Sequence, residues 1–488
     1  MSEVRAEVGG VAVATGHFIN NERIESATTF EDRSPLEWSL KLADVARGTS
    51  LEADLAIGAA RDAFGDWSGR HVKERGHYLR RLADLIEDNV ERLAIVECLD
   101  MAMLETSLRQ RVIARGARNF RTYADLAERY EPRRWASNGT HNTVLRMPAG
   151  PTVVITPWNA PFMLSTWKCA PALAAGNTVV LKPAEWSPLS CSLLMDLVLK
   201  ADFPPGVFNL VQGFGDEAGA ALVSDSRVRR ISFTGSPATG RVIGMAAAKN
   251  LVPFTAELGG KGPFVVYADA DLDLAAEKAS TMFDDAGQVC LAGTRLIVEE
   301  SVRDTFLDRF TSATERHVLG DSRDHVTTIS PLIHPDHLAR VEKFVERSLA
   351  SGDTLVFGGE RLRRDGLWFE PTLIEPKTND AEIVQNEVFG PVLTIQTFER
   401  EDQAIELANS TAYGLSAMVF TKDQKKADRF GLAVRAGTIW VNCFLVRDLS
   451  APFGGTGISG IGREGGDYAL DFYSDLKTYQ VKEDTTNG

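Results

Sequence analysis

Cysteine is scarce in this chain: five in 488 residues, at positions 98, 169, 191, 290 and 443. They are too few and too scattered for a disulfide framework, and the eight histidines do not stand beside them at metal-ligand spacings. A disulfide-stapled secreted domain is therefore excluded, and a reduced protein with no metal is expected. An uninterrupted apolar run of eighteen residues is also missing, so no membrane-spanning helix is predicted. The start, Met1-Ser2-Glu3-Val4-Arg5-Ala6-Glu7, lacks the basic opening and apolar stretch of a signal peptide. Positive charge is in deficit, with 53 basic against 67 acidic residues and a net charge of -14. Such a surface argues against nucleic-acid and membrane partners, and any anionic ligand would need a local basic pocket. The expected location is cytoplasmic.

What is present exceeds one hydrophobic core, so two or three domains are expected. After an N-terminal stretch that reads as loose, Leu51 to Tyr130 carries apolar residues at three- and four-residue intervals, a helical pattern. From Thr152 short β-rich runs alternate with helical ones: Val153-Val154-Ile155, Thr178 to Leu181, Val207 to Val211 and Arg230 to Phe233, with a helix over Ser190 to Ala201. A second series follows at Pro263 to Tyr267, Arg295 to Val298, Val392 to Ile395, Ala417 to Phe420 and Thr438 to Val441. This alternation predicts parallel βαβ winding in two successive domains. Two polar extended segments, Arg133 to Met147 and Asp475 to Lys482, read as strands able to pair between subunits.

The chemistry concentrates around Cys290, in Gly287-Gln288-Val289-Cys290, and around Glu257, which opens Glu257-Leu258-Gly259-Gly260-Lys261. A thiolate is a strong nucleophile and a glutamate can deprotonate water, so the two suit attack followed by hydrolysis. The competing reading of Cys290 is a buried structural thiol. Phe233-Thr234-Gly235-Ser236 follows a strand and opens a helix, where backbone N–H groups can meet a pyrophosphate; an ordinary glycine turn would look the same. Lys182 and Glu185 stand at another strand's carboxyl end, the place for ribose hydroxyls in open α/β sheets, or else form a solvated charge pair. Asn159, held between prolines in Thr156-Pro157-Trp158-Asn159-Ala160-Pro161, has the rigidity of an oxyanion donor or of a capping residue.

Together with Glu387-Val388-Phe389-Gly390-Pro391 and Pro452-Phe453-Gly454-Gly455, these motifs stand in an order and spacing that resemble the aldehyde dehydrogenase superfamily. The resemblance implies an α/β fold with two parallel-sheet domains and a small β oligomerisation arm. Residues 1–127 and 147–256 would form a Rossmann-like dinucleotide-binding domain, 257–456 the catalytic domain, and 128–146 with 467–488 the arm. It implies NAD-dependent oxidation of an aldehyde to a carboxylate, with NADP as the alternative cofactor and a homodimer or homotetramer as the assembly. By similarity Cys290 is the nucleophile, Asn159 the oxyanion donor and Glu257 the base. Ile155, Thr156, Pro157, Trp158, Lys182, Glu185, Gly215, Phe233, Gly235, Ser236, Leu258, Glu387 and Phe389 would hold the dinucleotide. A glutamate at position 257 separates hydrolysing members from those that transfer the acyl group to coenzyme A. Asp285 stands where an asparagine is usual and would bring negative charge near the thiol, raising its pKa. Gly262 and Gly457 also depart from the family pattern.

Val446-Arg447-Asp448-Leu449, Gly460 to Gly466, and the run Pro157 to Lys168 look like the branch that oxidises 2-hydroxymuconate and 5-carboxymethyl-2-hydroxymuconate semialdehydes. Such substrates are anionic, and a guanidinium grips a carboxylate bidentately. Arg447, with Arg115 as its partner, is the expected clamp; an ion pair with Asp448 and a solvated helix face are the competing explanations. Phe162, Trp167 and Phe444 would complete the pocket, or would serve a neutral aromatic aldehyde of the salicylaldehyde or vanillin type instead. A non-catalytic NAD-binding relative is the remote third possibility.

Overall fold

The computed structural model describes residues 4–482, so residues 483–488 of the expected arm lie outside it. Its first sheet has eight strands in the spatial order Gly460–Ile461, Phe254–Glu257, Arg230–Thr234, Thr152–Ile155, Val179–Lys182, Phe208–Leu210, His17–Ile19 and Glu22–Ile24. The five strands between Phe254–Glu257 and Phe208–Leu210 run parallel, and their neighbours on both sides are antiparallel. Runs such as Val179-Val180-Leu181 are apolar throughout because helices cover both faces of a parallel sheet. The chain leaves Thr152–Ile155 toward one side for two strands, then returns to its other side with Arg230–Thr234. Strand order thus reverses beside Thr152–Ile155, and ligands of open α/β sheets bind at the carboxyl ends beside such a reversal.

The second sheet orders Thr354–Phe357, Thr372–Glu375, Val392–Phe398, Arg295–Glu299, Pro263–Val266, Ser416–Phe420 and Thr438–Val441, parallel except for its first pair. Among the described residues, no helix is long and apolar enough to cross a membrane.

One reading from sequence is corrected. The N-terminal stretch is not loose: Arg5–Val8 pairs with Val11–Ala14, and His17–Ile19 with Glu22–Ile24, which extends the first sheet. Both hairpins turn on two left-handed residues, Gly9-Gly10 and Asn20-Asn21, the conformation whose twist matches paired strands. The two polar strands read as able to pair between subunits meet each other in the chain. Thr140–Pro148 and Ser474–Lys482 pair with each other within one chain, in register from Pro148 opposite Ser474 to Thr140 opposite Lys482. Arg134–Ser137 completes this three-stranded sheet.

Candidate active site

The carboxyl end of the first sheet carries Glu257, the last residue of Phe254–Glu257. The segment that follows it runs against Cys290: a Cβ on Gly260 would overlap the Cys290 carbonyl, so only glycine permits the approach. Cys290 is half-buried on a turn between the short helix Thr281–Gly287 and the strand Arg295–Glu299. Asp285, Ala286 and Gly287, with φ of 51°, 54° and 66°, bring the chain round in three left-handed steps. Two of these are not glycine, and such strain persists only where packing enforces it. Burial first, then Glu387 and Glu257, push the Cys290 thiol up to about 12, while Arg447 opposes them. Asp285 does not act as expected from sequence: the charge acting on it is Arg111, and its carboxylate is not among the groups that load the thiol.

Asn159 lies just beyond Thr152–Ile155, before the helix Pro161–Ala174, whose first position is a proline. Its Nδ2 donates to the Gln288 carbonyl at 2.8 Å, which ties the amide to the Cys290 turn. An amide nitrogen has two N–H groups, so the second stays available to an oxyanion.

Glu257 is buried, and neither carboxylate oxygen has a hydrogen-bond partner among the described residues. Burial and the neighbouring Glu464 push its pKa well up; Lys168, Arg463 and Arg447 pull the other way. Lys168 is ion-paired to Glu464 and donates to Ser232 Oγ at 3.1 Å and to the Phe233 carbonyl at 3.2 Å. The indole of Trp167 donates to the other oxygen of Glu464 at 2.7 Å. Sequence reasoning did not single out Lys168 and Glu464 as site residues. The available signal was a lysine inside a helix with no other charge, since a charge there needs a buried partner.

The residues expected to hold a dinucleotide gather on the same sheet end. Lys182 is buried at the end of its strand and donates to the Pro183 carbonyl at 3.0 Å and to Glu185 at 3.4 Å, so it is not a solvated pair. Burial lowers its pKa, with Glu185 opposing. Ile155, Thr156, Pro157 and Trp158 leave the neighbouring strand, and the Thr156 N–H donates to the Lys182 carbonyl at 3.1 Å. Gly215 opens a π-turn with free space where a side chain would stand. Beyond Arg230–Thr234, Gly235 lies over the Phe233 ring and Ser236 caps the helix Pro237–Lys249, accepting from Thr239 N–H at 3.1 Å. Leu258 packs against Gly240 of that helix. Glu387 accepts from the Gly260 N–H at 2.8 Å, and burial pushes its carboxyl up to about 7. Phe389, at φ 59°, stands edge-on to Trp158 with ring centroids 5.3 Å apart. A cationic amine with a carboxylate, a capped helix N-terminus, and an open glycine turn match the ribose and pyrophosphate of a dinucleotide, so this donor set fits NAD.

On the substrate side, Arg115 and Arg447 lie over the indole of Trp167, at 5.3 and 5.8 Å from its centroid. Arg447 also covers Phe453 at 3.8 Å. Neither guanidinium meets a carboxylate within ion-pair distance among the described residues; Asp448 instead accepts from the Ser450 N–H. Burial and Arg447 lower Arg115 to about 10, and burial lowers Arg447. Phe444 is half-buried against Trp440. Phe162 is fully buried against Gly116, on the same helix as Arg115, and has no exposed face.

A family model described as "Aldehyde dehydrogenase family" matches residues 23–479. Over 481 residues the chain is 41% identical to the 2-hydroxymuconic semialdehyde dehydrogenase of Pseudomonas sp. (strain CF600), covering 96% of this chain and 99% of that protein. The solved structure of HpcC from Thermus thermophilus superimposes with a TM-score of 0.95 at 42% identity, over 99% of this chain and 98% of that one. Betaine aldehyde dehydrogenase from Staphylococcus aureus, in complex with NAD+, gives 0.94 at 36% identity over 97% of each chain.

Proposed function

The chain belongs to the aldehyde dehydrogenase family and uses NAD, and from that premise we propose that its substrate is an aldehyde carrying a carboxylate, of the muconate-semialdehyde type produced by aromatic ring cleavage. The observation that carries this reading is the pair of guanidiniums, Arg115 and Arg447, over one indole with no carboxylate of the described residues within ion-pair distance of either. Two like charges in a buried site repel, and an anion between them relieves that repulsion. The muconic semialdehyde dehydrogenase relative supports the same class.

In this reading Cys290 loses its thiol proton to solvent and the resulting Sγ thiolate attacks the aldehyde carbon. A C–S bond forms, and the carbonyl oxygen takes the electron pair toward the free N–H of Asn159 and the backbone N–H of Cys290. NAD, when bound by Lys182, Glu185, Ser236 and Glu387, supplies the acceptor for the hydride that leaves this carbon. Glu185 opposes a 2′-phosphate by charge and so favours NAD over NADP. Glu257 then takes a proton from the water that adds to the thioester, releasing the carboxylate and restoring the thiol. Glu464 raises the pKa of Glu257 and Lys168 lowers it, both secondary to burial. The three-stranded arm exposes Trp135, Leu476, Tyr479 and Val481, apolar surface suited to a homodimer or homotetramer.

Arg447→Ala tests the substrate class. Losing charged hydrogen bonds to a carboxylate costs about 1.5–3 kcal/mol, so KM for a dicarboxylic semialdehyde is expected to rise roughly 10- to 100-fold. KM for benzaldehyde should stay within about twofold of the parent. Equal losses on both, read by NADH absorbance, would return the assignment to neutral aromatic aldehydes.

A further inference from the structure

One buried histidine that the reaction above leaves unused holds the turn that carries Glu387 and Phe389. His337 is 5% exposed and lies in the first turn of the helix Pro335–Ala350. Its Nε2 stands 2.7 Å from the Phe389 carbonyl oxygen. A carbonyl only accepts, so Nε2 carries the proton and donates.

The same helix face grips the rest of that turn. Arg340 donates to the carbonyls of Val388 and Glu387, at 2.5 and 2.7 Å. Val341 backs Gly390, where a Cβ would stand 2.7 Å from its Cγ2. Positions i, i+3 and i+4 share one side of a helix, so a single rigid surface meets residues 387 to 390. Phe389 is the strained member of the turn. Its φ of 59° is uncommon for so bulky a side chain and persists only where the surroundings enforce it. No other group of the described residues donates to the carbonyl that His337 holds.

The rings close the same junction. Centroids lie 5.2 Å apart for His337 and Trp158, 5.3 Å for Trp158 and Phe389, and 6.2 Å for His337 and Phe389. Trp158 precedes Asn159, whose amide reaches the Gln288 carbonyl. The turn also abuts the segment of the nucleophile, since a Cβ on Gly287 would stand 2.3 Å from the Gly390 carbonyl oxygen. His337 therefore stands where the cofactor rim, the oxyanion donor and the Cys290 turn meet.

We propose that His337 is a positioning residue for hydride transfer. By holding the Phe389 carbonyl it fixes the 387–390 turn, and with it the Glu387 and Phe389 side chains assigned to the dinucleotide, in register with Cys290. The inference rests on the use of NAD and on nothing about which aldehyde is oxidised.

Two measurements test it: calorimetric titration of NAD onto the full chain, which needs no turnover, and the rapid-mixing rate of the first NADH formed from benzaldehyde. In His337→Leu the buried carbonyl loses its donor. The Kd for NAD should rise roughly tenfold, the effect of one orphaned hydrogen-bonding group, and the first-turnover rate should fall by a similar factor. His337→Gln places an amide N–H near the position of Nε2 and should keep both values within about threefold of the parent. His337→Asn is one carbon too short and should behave as His337→Leu does. A merely structural role would lower the melting temperature of these variants without separating Gln from Asn in either measurement. That result, or a His337→Leu with the parent's Kd and first-turnover rate, overturns the inference. If His337→Leu does not fold, the contrast between Gln and Asn decides in its place.

Discussion

Cys290→Ala is expected to abolish aldehyde oxidation, by at least about 10⁴-fold, while leaving NAD binding close to that of the parent. The loss corresponds to ~5.5 kcal/mol of transition-state stabilisation. It is large because every later step needs the carbon–sulfur bond: without it the aldehyde carbon does not become the tetrahedral centre from which a hydride can leave. Asn159 and the arginines would still bind the aldehyde, but binding alone does not supply the missing bond. The substitution should fold normally, since Cys290 is not one of the left-handed residues of its turn and the site is only half-buried. NADH absorbance reads the turnover and calorimetric titration reads the cofactor. Turnover within tenfold of the parent would remove Cys290 from the mechanism.

The same thiol fixes a pH dependence. With its pKa pushed up to about 12, the resting sulfur is protonated at neutral pH, and the nucleophilic form grows as pH rises. kcat/KM, which reports the free enzyme, should therefore climb between pH 6 and 9, and its descent over that range would contradict the assignment.

Much of this site was legible in the sequence because the motifs around Thr156, Lys182, Ser236 and Glu257 sit at strand ends. Val153-Val154-Ile155, Val179-Val180-Leu181 and Phe264-Val265-Val266 are apolar on both faces, which marks buried parallel strands, and the residues following such strands form the ligand-binding rim. The illegible parts have physical reasons. The N-terminal hairpins are built from strands of three or four residues, too short for an alternating pattern to register. Lys168 and Glu464 are 296 residues apart, and no local pattern pairs two charges across that distance. Asp285 looked close to the thiol by sequence separation, but its backbone is left-handed and the charge acting on its carboxylate is Arg111. Composition likewise did not say whether Thr140–Pro148 and Ser474–Lys482 meet within one chain or across two.

Glu257→Gln should separate the two halves of the reaction. An amide has nearly the shape of the carboxyl it replaces, and the site is tight: a Cβ on Gly454 would stand 2.8 Å from Glu257 Oε1. Neither carboxylate oxygen has a hydrogen-bond partner among the described residues, so the amide breaks no contact and the melting temperature should scarcely move. What is lost is the capacity to take a proton from water. Cys290 and Asn159 remain, so the first turnover should release about one equivalent of NADH per site, leaving an acyl group on Cys290. Hydrolysis should then fall by roughly 10²–10⁴-fold, the range of general-base contributions. Rapid-mixing absorbance reads the burst, and peptide mass reads the acylated Cys290. Hydroxylamine, a nucleophile that needs no base, should restore turnover. A slow phase without a burst would place Glu257 in thiol activation instead, and an unchanged steady state would exclude it as the base.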